Sequence, residues 1–229
     1  MPHRLAVLLA LILVAGHRNE RGEVVAGQRL PLEVQAHRRE IAVVFLDLRG
    51  FTAFADRAEP EEVIDVLQEY HTAMGELIGQ FEGTLERFTG DGIMVFFGDP
   101  ITVSNPLERA VRLSLAMRER VGTLTPRWSR RGYDLGLGIG VALGYATIGA
   151  IGFEGRWDYA AIGRVTNLAA RLCVEAQSGQ ILINQPSLDG MENLLEIESI
   201  GDLTLKGFQR PVPVLNILGL KSARQAHSA

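Results

Sequence analysis

The order in which strand-like and helix-like patterns follow one another constrains this chain more than any other feature of its sequence. An apolar run precedes a helical pattern, two short runs flank an Asp-Gly pair, and a second helical pattern leads into an alternating run. Asp-Gly between two apolar runs is a strong hairpin signal, and proline is favoured at the first helical position. The segments are, in order, Ile41–Leu46, Pro60–Phe81, Thr84–Phe88, Ile93–Phe97, Pro106–Val121 and Tyr133–Ala142. This β-α-β-β-α-β order predicts an α+β fold with a ferredoxin-like core.

The rest of the sequence adds further strands and one helix to this core. Apolar spacing predicts a helix over Val165–Ala176. The additional strands are predicted at Tyr145–Ile148, Gln180–Asn184, Leu195–Ile200, Leu203–Leu205 and Val212–Leu218. With 229 residues and 47% hydrophobic content, the chain can form one sizeable domain with short appendages. We assign an apolar segment and linker to residues 1–39, the folded domain to residues 40–218 and a polar tail to residues 219–229.

Net charge and cysteine content limit which ligands and which cellular compartment the sequence fits. Lysine and arginine total 23 against 27 acidic residues, which gives a net charge of −4. No segment combines clustered basic residues with aromatic ones, so we expect no nucleic-acid partner. Cys173 is the single cysteine, which excludes an intrachain disulfide and a CxxC metal site and fits a reducing compartment.

Two acidic residues carry the strongest chemical signal. Asp47 ends the Ile41–Leu46 run, and Asp91 lies in the Gly-Asp-Gly turn between the two short runs. Each could be merely a turn residue when considered alone. Together, a carboxylate at a strand end and another at a hairpin tip can converge on Mg²⁺ or Mn²⁺, because hard cations prefer oxygen ligands. A two-metal phosphoryl-transfer site over a nucleoside triphosphate is the leading hypothesis.

Several familiar nucleotide-binding and hydrolytic motifs are absent from the sequence. The glycines from Gly136 to Gly140 lack the third glycine of a dinucleotide loop, because Leu143 stands there, and they lie inside a predicted strand. Gly144 to Gly149 have P-loop spacing, but Ala150 and Ile151 replace the required Lys and Ser/Thr. HExxH and GxSxG motifs are missing, so the sequence gives hydrolase chemistry no support.

Three separated motifs carry a resemblance to a known family. They are Phe45–Thr52, Arg87–Gly92 and Tyr159–Leu172. In these motifs, and over roughly Arg39 to Leu218, the sequence resembles the class III nucleotidyl cyclases, the adenylate and guanylate cyclase catalytic domain. The resemblance implies an adenylate cyclase that converts ATP into 3′,5′-cyclic AMP and pyrophosphate. Because positioning and charge neutralisation suffice for attack of the ribose 3′-hydroxyl on the α-phosphate, no protein nucleophile is needed.

The same resemblance implies roles for individual residues. Asp47, Asp91 and the Leu48 carbonyl are expected to hold two divalent ions, Mg²⁺ or Mn²⁺. Backbone amides would cradle the phosphates at a helix start; these amides belong to Gly50, Phe51 and Thr52.

A second group of implied site residues lies in the C-terminal half. Asn167 and Arg171 are four residues apart and share one face of a helix. The resemblance assigns Asn167 to orienting the ribose and Arg171 to stabilising charge on the α-phosphate. Arginine suits this role because its guanidinium stays charged and presents a planar fork of donors. Lys206 resembles a family lysine that reaches the triphosphate.

In the resembling family, the acidic pair and the Asn/Arg pair meet only across a dimer interface. We therefore expect a head-to-tail homodimer with two composite sites. The glycine face of the Leu135–Val141 strand and the apolar segment Ala146–Phe153 are candidates for this interface. The alternative is that these glycines face a helix of the same chain.

Base selection departs from the family pattern at two positions. Adenylate cyclases typically carry Lys and Asp or Thr there, guanylate cyclases carry Glu and Cys, and this chain has Arg87 and Ala160. Arg87 can donate to adenine N1, but arginine also pairs well with guanine. Ala160 offers no side-chain acceptor to the adenine amino group, so a backbone carbonyl, a water or Asp158 would replace it. We expect ATP to be the substrate, with GTP or relaxed selectivity as the alternative.

Two other classes of protein share parts of this pattern. A catalytically silent nucleotide-binding or dimerisation module would be expected to lack a metal Asp or the transition-state Arg, and this chain lacks neither. A diguanylate cyclase should show Gly-Gly-(Asp/Glu)-Glu-Phe at the hairpin, where this chain has Thr89 to Ile93 as Thr-Gly-Asp-Gly-Ile.

The N-terminal apolar run Leu5–Ala15 allows several interpretations. Its 11 residues are too few to span a bilayer comfortably, which takes about 20. A signal-peptide core, a buried piece of an upstream sensor or regulatory module, a start-site artefact and a membrane tether all remain open. Because cellular nucleoside triphosphates are the expected substrates, we expect a cytoplasmic location.

Overall fold

The computed structural model describes residues 35–153, 156–188 and 190–221. These residues form eight strands and four helices, together with a short 3-10 turn at Gln185–Leu188. The strands are β1 (His37–Arg49), β2 (Thr84–Thr89), β3 (Gly92–Phe97), β4 (Gly136–Phe153), β5 (Arg156–Ile162), β6 (Ile181–Asn184), β7 (Leu195–Leu203) and β8 (Val212–Leu220). The helices are α1 (Phe51–Ala55), α2 (Pro60–Phe81), α3 (Pro106–Arg130) and α4 (Arg164–Glu175).

All eight strands belong to one sheet. Its order is β2-β3-β1-β4-β6-β8-β7, and β5 pairs with the far end of β4. Strand β1 pairs antiparallel with both β3 and β4. The β2-β3-β1-β4 part is the ferredoxin-like arrangement, so the predicted α+β core is confirmed. Strands β6, β8 and β7 extend the sheet beyond β4.

The sheet separates two apolar cores, because successive side chains of β1 point to opposite faces. Val44, Leu46 and Leu48 belong to the larger core with α2 and α3. Ile41 and Val43 belong to the smaller core, into which α4 packs. By the same alternation Asp47 lies on the α4 face of the sheet, at the end of β1.

The predicted strands Tyr133–Ala142 and Tyr145–Ile148 are wrong as separate elements. They form the single 18-residue strand β4, which begins at Gly136 and continues through Gly144 to Phe153. Gly144 does not interrupt the strand, because it pairs with Ile41 of β1 in an unbroken register. Long pairing with β1, rather than local propensity, decides this length.

The first candidate for the dimer interface is also wrong. The glycines of Leu135–Val141 face the same chain: a Cβ added at Gly140 would overlap the backbone of Ala169 and Cys173 on α4. The alternative, a helix of the same chain, is confirmed at Gly140, whereas Gly136 and Gly138 face Ser178 and the Arg49 side chain. Glycine allows this close approach of helix and strand.

Smaller corrections concern the ends of four elements. Helix α3 continues past the predicted end at Val121 and through Pro126, whose missing N–H would have bonded the Gly122 carbonyl. The Thr125 hydroxyl donates to that carbonyl at 3.3 Å instead. The predicted strand Leu203–Leu205 does not form separately, because β7 runs to Leu203. Strand β1 begins at His37 and β8 ends at Leu220, slightly outside the predicted bounds of the folded domain.

In the described part of the chain, none of the helices combines the length and apolar character needed to cross a membrane. The apolar run Leu5–Ala15 lies outside the described residues, as do residues 1–34 and 222–229 generally. The interpretations of these segments stay predictions.

A buried carboxylate anchors the start of β1. Asp99 is 2% exposed and accepts hydrogen bonds from His37 at 2.8 Å, from Arg39 at 2.9 Å and from the Tyr159 hydroxyl of β5. Both ring nitrogens of His37 contact acceptors, since the other lies 2.9 Å from the Gln35 carbonyl. The hydrogen bonds to Asp99 and Gln35 raise the pKa of His37, because both ring nitrogens donate only in the protonated ring. Burial would raise the pKa of Asp99, but its three hydrogen bonds outweigh burial and lower it.

Replacing Asp99 by alanine is expected to lower the free energy of unfolding by about 2–4 kcal/mol, because Arg39 and Tyr159 lose their shared acceptor. Urea denaturation of both proteins measures this, with Asp202→Ala on an exposed position of β7 as the control. The raised pKa of His37 adds a pH dependence. Its contribution is complete below about pH 6.5 and is lost as the pH rises through its folded-state pKa, so the difference between the two proteins should shrink. Equal stability of the two proteins at pH 6 would contradict the role of Asp99.

Candidate active site

The end of β1 and the tip of the β2–β3 hairpin bring Asp47 and Asp91 together. The Leu48 amide donates to the Asp91 carboxylate at 3.1 Å, and the Asp47 carboxyl group lies close enough to Asp91 to raise its pKa. The hairpin tip is held from α2, where the His71 ring contacts the Gly90 carbonyl at 2.9 Å. The same ring stacks on Phe88 of β2 with centroids 4.4 Å apart. The two predicted metal-binding acids therefore meet in the folded chain.

This carboxyl pair is electrostatically unfavourable without a cation. Burial, followed by the hydrogen bond and the charge of Asp47, raises the pKa of Asp91 to about 7. The fully buried Tyr70 of α2 lies near both acids, and burial followed by the negative charge of Asp47 raises its pKa well above the usual value. Two carboxyl groups that share a site cannot both ionise readily. A bound cation would remove this penalty.

The residues at this position fit a divalent metal. In an antiparallel strand the N–H and C=O of one residue point toward the same neighbouring strand. Because the Leu48 N–H donates to Asp91, the Leu48 carbonyl is directed to the same side. Pairing of β1 with β3 ends at Leu46 and Ile93, so β3 does not cover this carbonyl. Two carboxylates and one carbonyl form the oxygen-rich donor set that Mg²⁺ and Mn²⁺ prefer.

A turn next to the acids exposes backbone amides. Gly50 precedes α1 in the left-handed conformation, with φ of 83°, and a Cβ there would overlap the Asp134 carbonyl. The first bond of α1 runs from the Phe54 amide to the Gly50 carbonyl at 3.0 Å. The amides of Phe51 and Thr52 therefore precede the helical hydrogen bonds, as a phosphate-binding turn requires.

Asn167 and Arg171 lie on α4 in a second group of predicted site residues. The buried side of α4 consists of other residues, namely Val165, Ala169, Leu172 and Cys173. Asn167, Arg171 and Lys206 all line one cleft of about 860 Å³. Asn167 and Lys206 are exposed and Arg171 is half-buried, so all three side chains are accessible.

Arg164 and Arg210 also line this cleft and were missed from the sequence. The Arg164 guanidinium lies 5.1 Å from the centroid of the Phe208 ring. With Arg171 and Lys206, four cationic side chains surround the cleft, which suits a polyanionic ligand. The spacing of the residues did not indicate the two additional arginines, because Arg210 reaches the cleft through a loop 39 positions after Arg171.

A second cleft lies beside the first. It has a volume of about 670 Å³ and contains Arg87 and Ala160, the two positions expected to select the base. Glu86, Asp158 and Asn167 also line it. Asn167 therefore borders both clefts, where a ribose between a base and a triphosphate would lie.

Within one chain, the acidic pair and the two clefts remain separate. Neither Asp47 nor Asp91 lines either cleft, whereas Arg87, Ala160, Asn167, Arg171 and Lys206 do. The structure thus sorts the predicted residues into two groups. One group is acidic and surrounds the end of β1, and the other is basic and polar and extends along α4.

Arg49 is a structural residue that sequence reasoning missed. Its guanidinium reaches from the end of β1 to α4 and donates to the Cys173 carbonyl at 2.7 Å. Its Nε is buried without a hydrogen-bond partner among the described residues. Arg49 fixes the end of β1, which carries Asp47, relative to α4, which carries Asn167 and Arg171. The sequence holds no signal for this contact, since 124 positions separate its two residues.

Comparison with known proteins adds independent information. The profile of the family described as Adenylate and Guanylate cyclase catalytic domain matches residues 33–217. Among solved structures, the adenylyl cyclase CyaB from P. aeruginosa is 34% identical with a TM-score of 0.78, over 83% of this chain and 98% of that one. The guanylyl cyclase Cya2 is 31% identical with a TM-score of 0.75, over 82% of this chain and 96% of that one.

Curated relatives are longer than this chain. An uncharacterised protein of Mycobacterium tuberculosis is 30% identical over 201 residues, which are 86% of this chain and 34% of the relative. Adenylate cyclase 1 of Rhizobium meliloti is 25% identical over 191 residues, which are 82% of this chain and 29% of the relative. The chain thus spans about a third of the length of these relatives.

Asp91→Asn is expected to stabilise the metal-free protein at pH 8. The raised pKa means that the folded state holds its proton up to about pH 7, so stability falls as the pH rises from about 4 through 7. Asparagine carries no charge at either pH, so the variant should not lose stability in this way, and its Tm at pH 8 should be a few degrees higher. Thermal unfolding measures the Tm of both proteins, with Asp65→Asn on an exposed position of α2 as the control. Mn²⁺ should raise the Tm of the wild type more than that of Asp91→Asn. A lower Tm for metal-free Asp91→Asn would contradict repulsion between the two acids.

Proposed function

Because the chain belongs to the adenylate and guanylate cyclase catalytic domain family, we propose that it is an adenylate cyclase that makes 3′,5′-cyclic AMP and pyrophosphate from ATP. Family membership supports nucleotidyl cyclase chemistry. One observation supports the proposed mechanism above all: an acidic group and a basic, polar group are complete but separate within one chain. Two chains in head-to-tail contact would join the acidic group of each to the basic group of the other.

The reaction forms one P–O bond and breaks another. The ribose 3′-oxygen attacks the α-phosphorus, the bond from that phosphorus to the bridging oxygen of the β-phosphate breaks to release pyrophosphate, and the 3′-hydroxyl proton passes to solvent water. When bound, two divalent ions would acidify the 3′-hydroxyl and neutralise phosphate charge. Asp47, Asp91 and the Leu48 carbonyl would hold them. The amides of Gly50, Phe51 and Thr52 would bind phosphate oxygens.

The basic group would act on the other side of the nucleotide. Asn167 borders both clefts and would orient the ribose so that its 3′-oxygen lies in line with the leaving oxygen. Arg171 would donate to the α-phosphate oxygens as negative charge develops there. Lys206 would bind the terminal phosphates as a positive point charge.

The paired ends of β4 (Thr147–Phe153) and β5 (Arg156–Ile162), called the β4–β5 arm below together with the adjacent Tyr145, support a homodimer. Tyr145, Ile151 and Phe153 of β4 and Ile162 of β5 are 57%, 45%, 69% and 61% exposed, although all are large and apolar. Ile151 and Phe153 lie in the second predicted interface segment, Ala146–Phe153, while Tyr145 precedes it and Ile162 pairs with its Thr147. Large apolar side chains exposed together on one strand pair are typical of an interaction site. We assign this arm to the contact between the two protomers.

ATP is the proposed substrate because Arg87 stands where guanylate cyclases typically carry an acid. A guanidinium can donate to adenine N1, whereas it cannot accept from the N1–H of guanine. The second candidate function is a guanylate or relaxed-specificity cyclase. The 31% identity to the guanylyl cyclase Cya2 and the absence of an acceptor at Ala160 favour it.

The purified protein is expected to release pyrophosphate from ATP, with cyclic AMP as the other product, in the presence of Mg²⁺ or Mn²⁺. Asp47→Ala removes a metal ligand and Arg171→Ala removes the donor to the α-phosphate, so each should lower kcat by at least about 100-fold. Parallel assays with ATP and GTP measure substrate choice. Exclusive turnover of GTP would contradict the adenylate cyclase assignment.

Mixing the two inactive variants tests whether sites are shared between chains. With free exchange, half of the dimers contain one chain of each variant, and each such dimer has one intact site. Mixed Asp47→Ala and Arg171→Ala should therefore recover about a quarter of the wild-type activity. A mixture of Asp47→Ala and Asp91→Ala should recover none, because both changes lie in the same half-site. Equal recovery in both mixtures, or in neither, would contradict the composite site.

A further inference from the structure

Strand β2 contains a bulge at Glu86. Its register with β3 pairs Leu85 with Val95 and then Arg87 with Met94, so Glu86 has no residue opposite it. A β-bulge of this kind changes which face successive side chains point to. Leu85 pairs with a residue of the larger core, whereas Arg87 pairs with Met94 of the smaller core.

The bulge turns two consecutive charged side chains toward one cleft. Glu86 and Arg87 both line the 670 Å³ cleft that contains Ala160. In a regular strand, neighbouring side chains point to opposite faces and only one of the two would reach it. The side chain of Glu86 is 3% exposed and that of Arg87 is 60% exposed. The Glu86 side chain is therefore largely covered within the lining of the cleft, whereas that of Arg87 is exposed to solvent.

The two side chains form a donor–acceptor pair. The Arg87 guanidinium donates to Oε1 of Glu86 at 2.7 Å. Oε1 of Glu86 is occupied by this bond, and Oε2 is not among the buried unpaired atoms of the described residues, so Oε2 is accessible and can accept a hydrogen bond from a ligand in the cleft. The Watson–Crick edge of adenine carries an amino donor at position 6 beside the N1 acceptor. Glu86 as acceptor and Arg87 as donor complement this edge of adenine, and the same pair would complement the N1–H and O6 of guanine, so the choice of adenine here follows from the proposed ATP substrate.

Ala160 leaves this acceptor role unfilled. Its methyl side chain is 3% exposed and has no polar atom. Asp158 lines the same cleft, but it is exposed to solvent. An acceptor on a largely covered side chain discriminates more strongly than one on an exposed side chain, because an analogue that cannot donate leaves it with poorer access to water.

We infer that Glu86 is a base-selecting residue that accepts a hydrogen bond from the 6-amino group of adenine, in place of the side chain missing at Ala160. This inference rests on the proposed adenylate cyclase function. Arg87 donates to N1 of the same base, and its contact with Glu86 holds both groups at one edge. The cleft reads adenine through two adjacent residues of one strand.

A substrate without the 6-amino group tests the inference. Purine riboside 5′-triphosphate keeps N1, the ribose and the triphosphate, and it has hydrogen at position 6. Release of pyrophosphate gives kcat/KM for this analogue and for ATP. The wild type should prefer ATP by about 10- to 100-fold, as expected for a hydrogen bond to a carboxylate. Glu86→Ala should reduce this preference to less than about 3-fold, and Glu86→Gln, which keeps an acceptor oxygen, should retain about 3- to 10-fold.

Two further variants separate this role from a structural one. Glu119→Ala changes an exposed glutamate of α3, on the opposite side of the sheet, and should leave the preference unchanged. Asp158→Ala should also retain it. If Glu86 only positioned Arg87, Glu86→Ala would reduce both substrates equally, because both contain N1. That result, or loss of the preference in Asp158→Ala instead, would overturn the inference about Glu86. Absence of pyrophosphate release from ATP by the wild type would instead overturn the proposed function, and the inference with it.

Discussion

The contact between Asp47 and Asp91 is the constraint on which the rest of the site depends. Burial and the neighbouring Asp47 carboxyl group raise the pKa of Asp91 to about 7, and the fold holds the two acids together nevertheless. It does so through the register of β1 with β3, the Leu48 amide and the support of the hairpin tip by His71. Functional sites often hold acidic residues close together at a cost in stability. The oxygen donors around this contact account for its expected affinity for divalent metals.

Helix α4 is the second constraint, because it carries the residues that would complete the site. The glycines of β4 let the helix approach the sheet closely, and Arg49 ties its C-terminal end to the end of β1. Asn167 and Arg171 therefore have a fixed position relative to the acids of the same chain, yet they line clefts that exclude those acids. Under the proposed mechanism, a second copy of the chain would bring complementary half-sites together. The exposed apolar side chains of the β4–β5 arm are consistent with this requirement.

Much of the fold and of the acidic group could be predicted from the sequence. Asp47 and Asp91 follow from a strand end and an Asp-Gly turn, and Pro60 and Pro106 mark helix starts that the structure reproduces. The bulge at Glu86 could not be predicted, because one extra residue in a six-residue strand does not disturb a two-residue period visibly. The glycines of β4 indicated a close neighbour without indicating which one, since a missing side chain carries no information about its partner. Contacts such as Arg49 with Cys173 depend on the assembled fold.

A crystal structure of the protein with Mn²⁺ and an ATP analogue that cannot be cyclised tests the composite site most directly. We expect Mn²⁺ between Asp47 and Asp91 of one protomer, with the α-phosphate of the nucleotide in contact with Arg171 of the partner subunit. Nucleotide bound to Asp47, Asp91 and Arg171 of a single protomer, or metal bound away from the two acids, would contradict it.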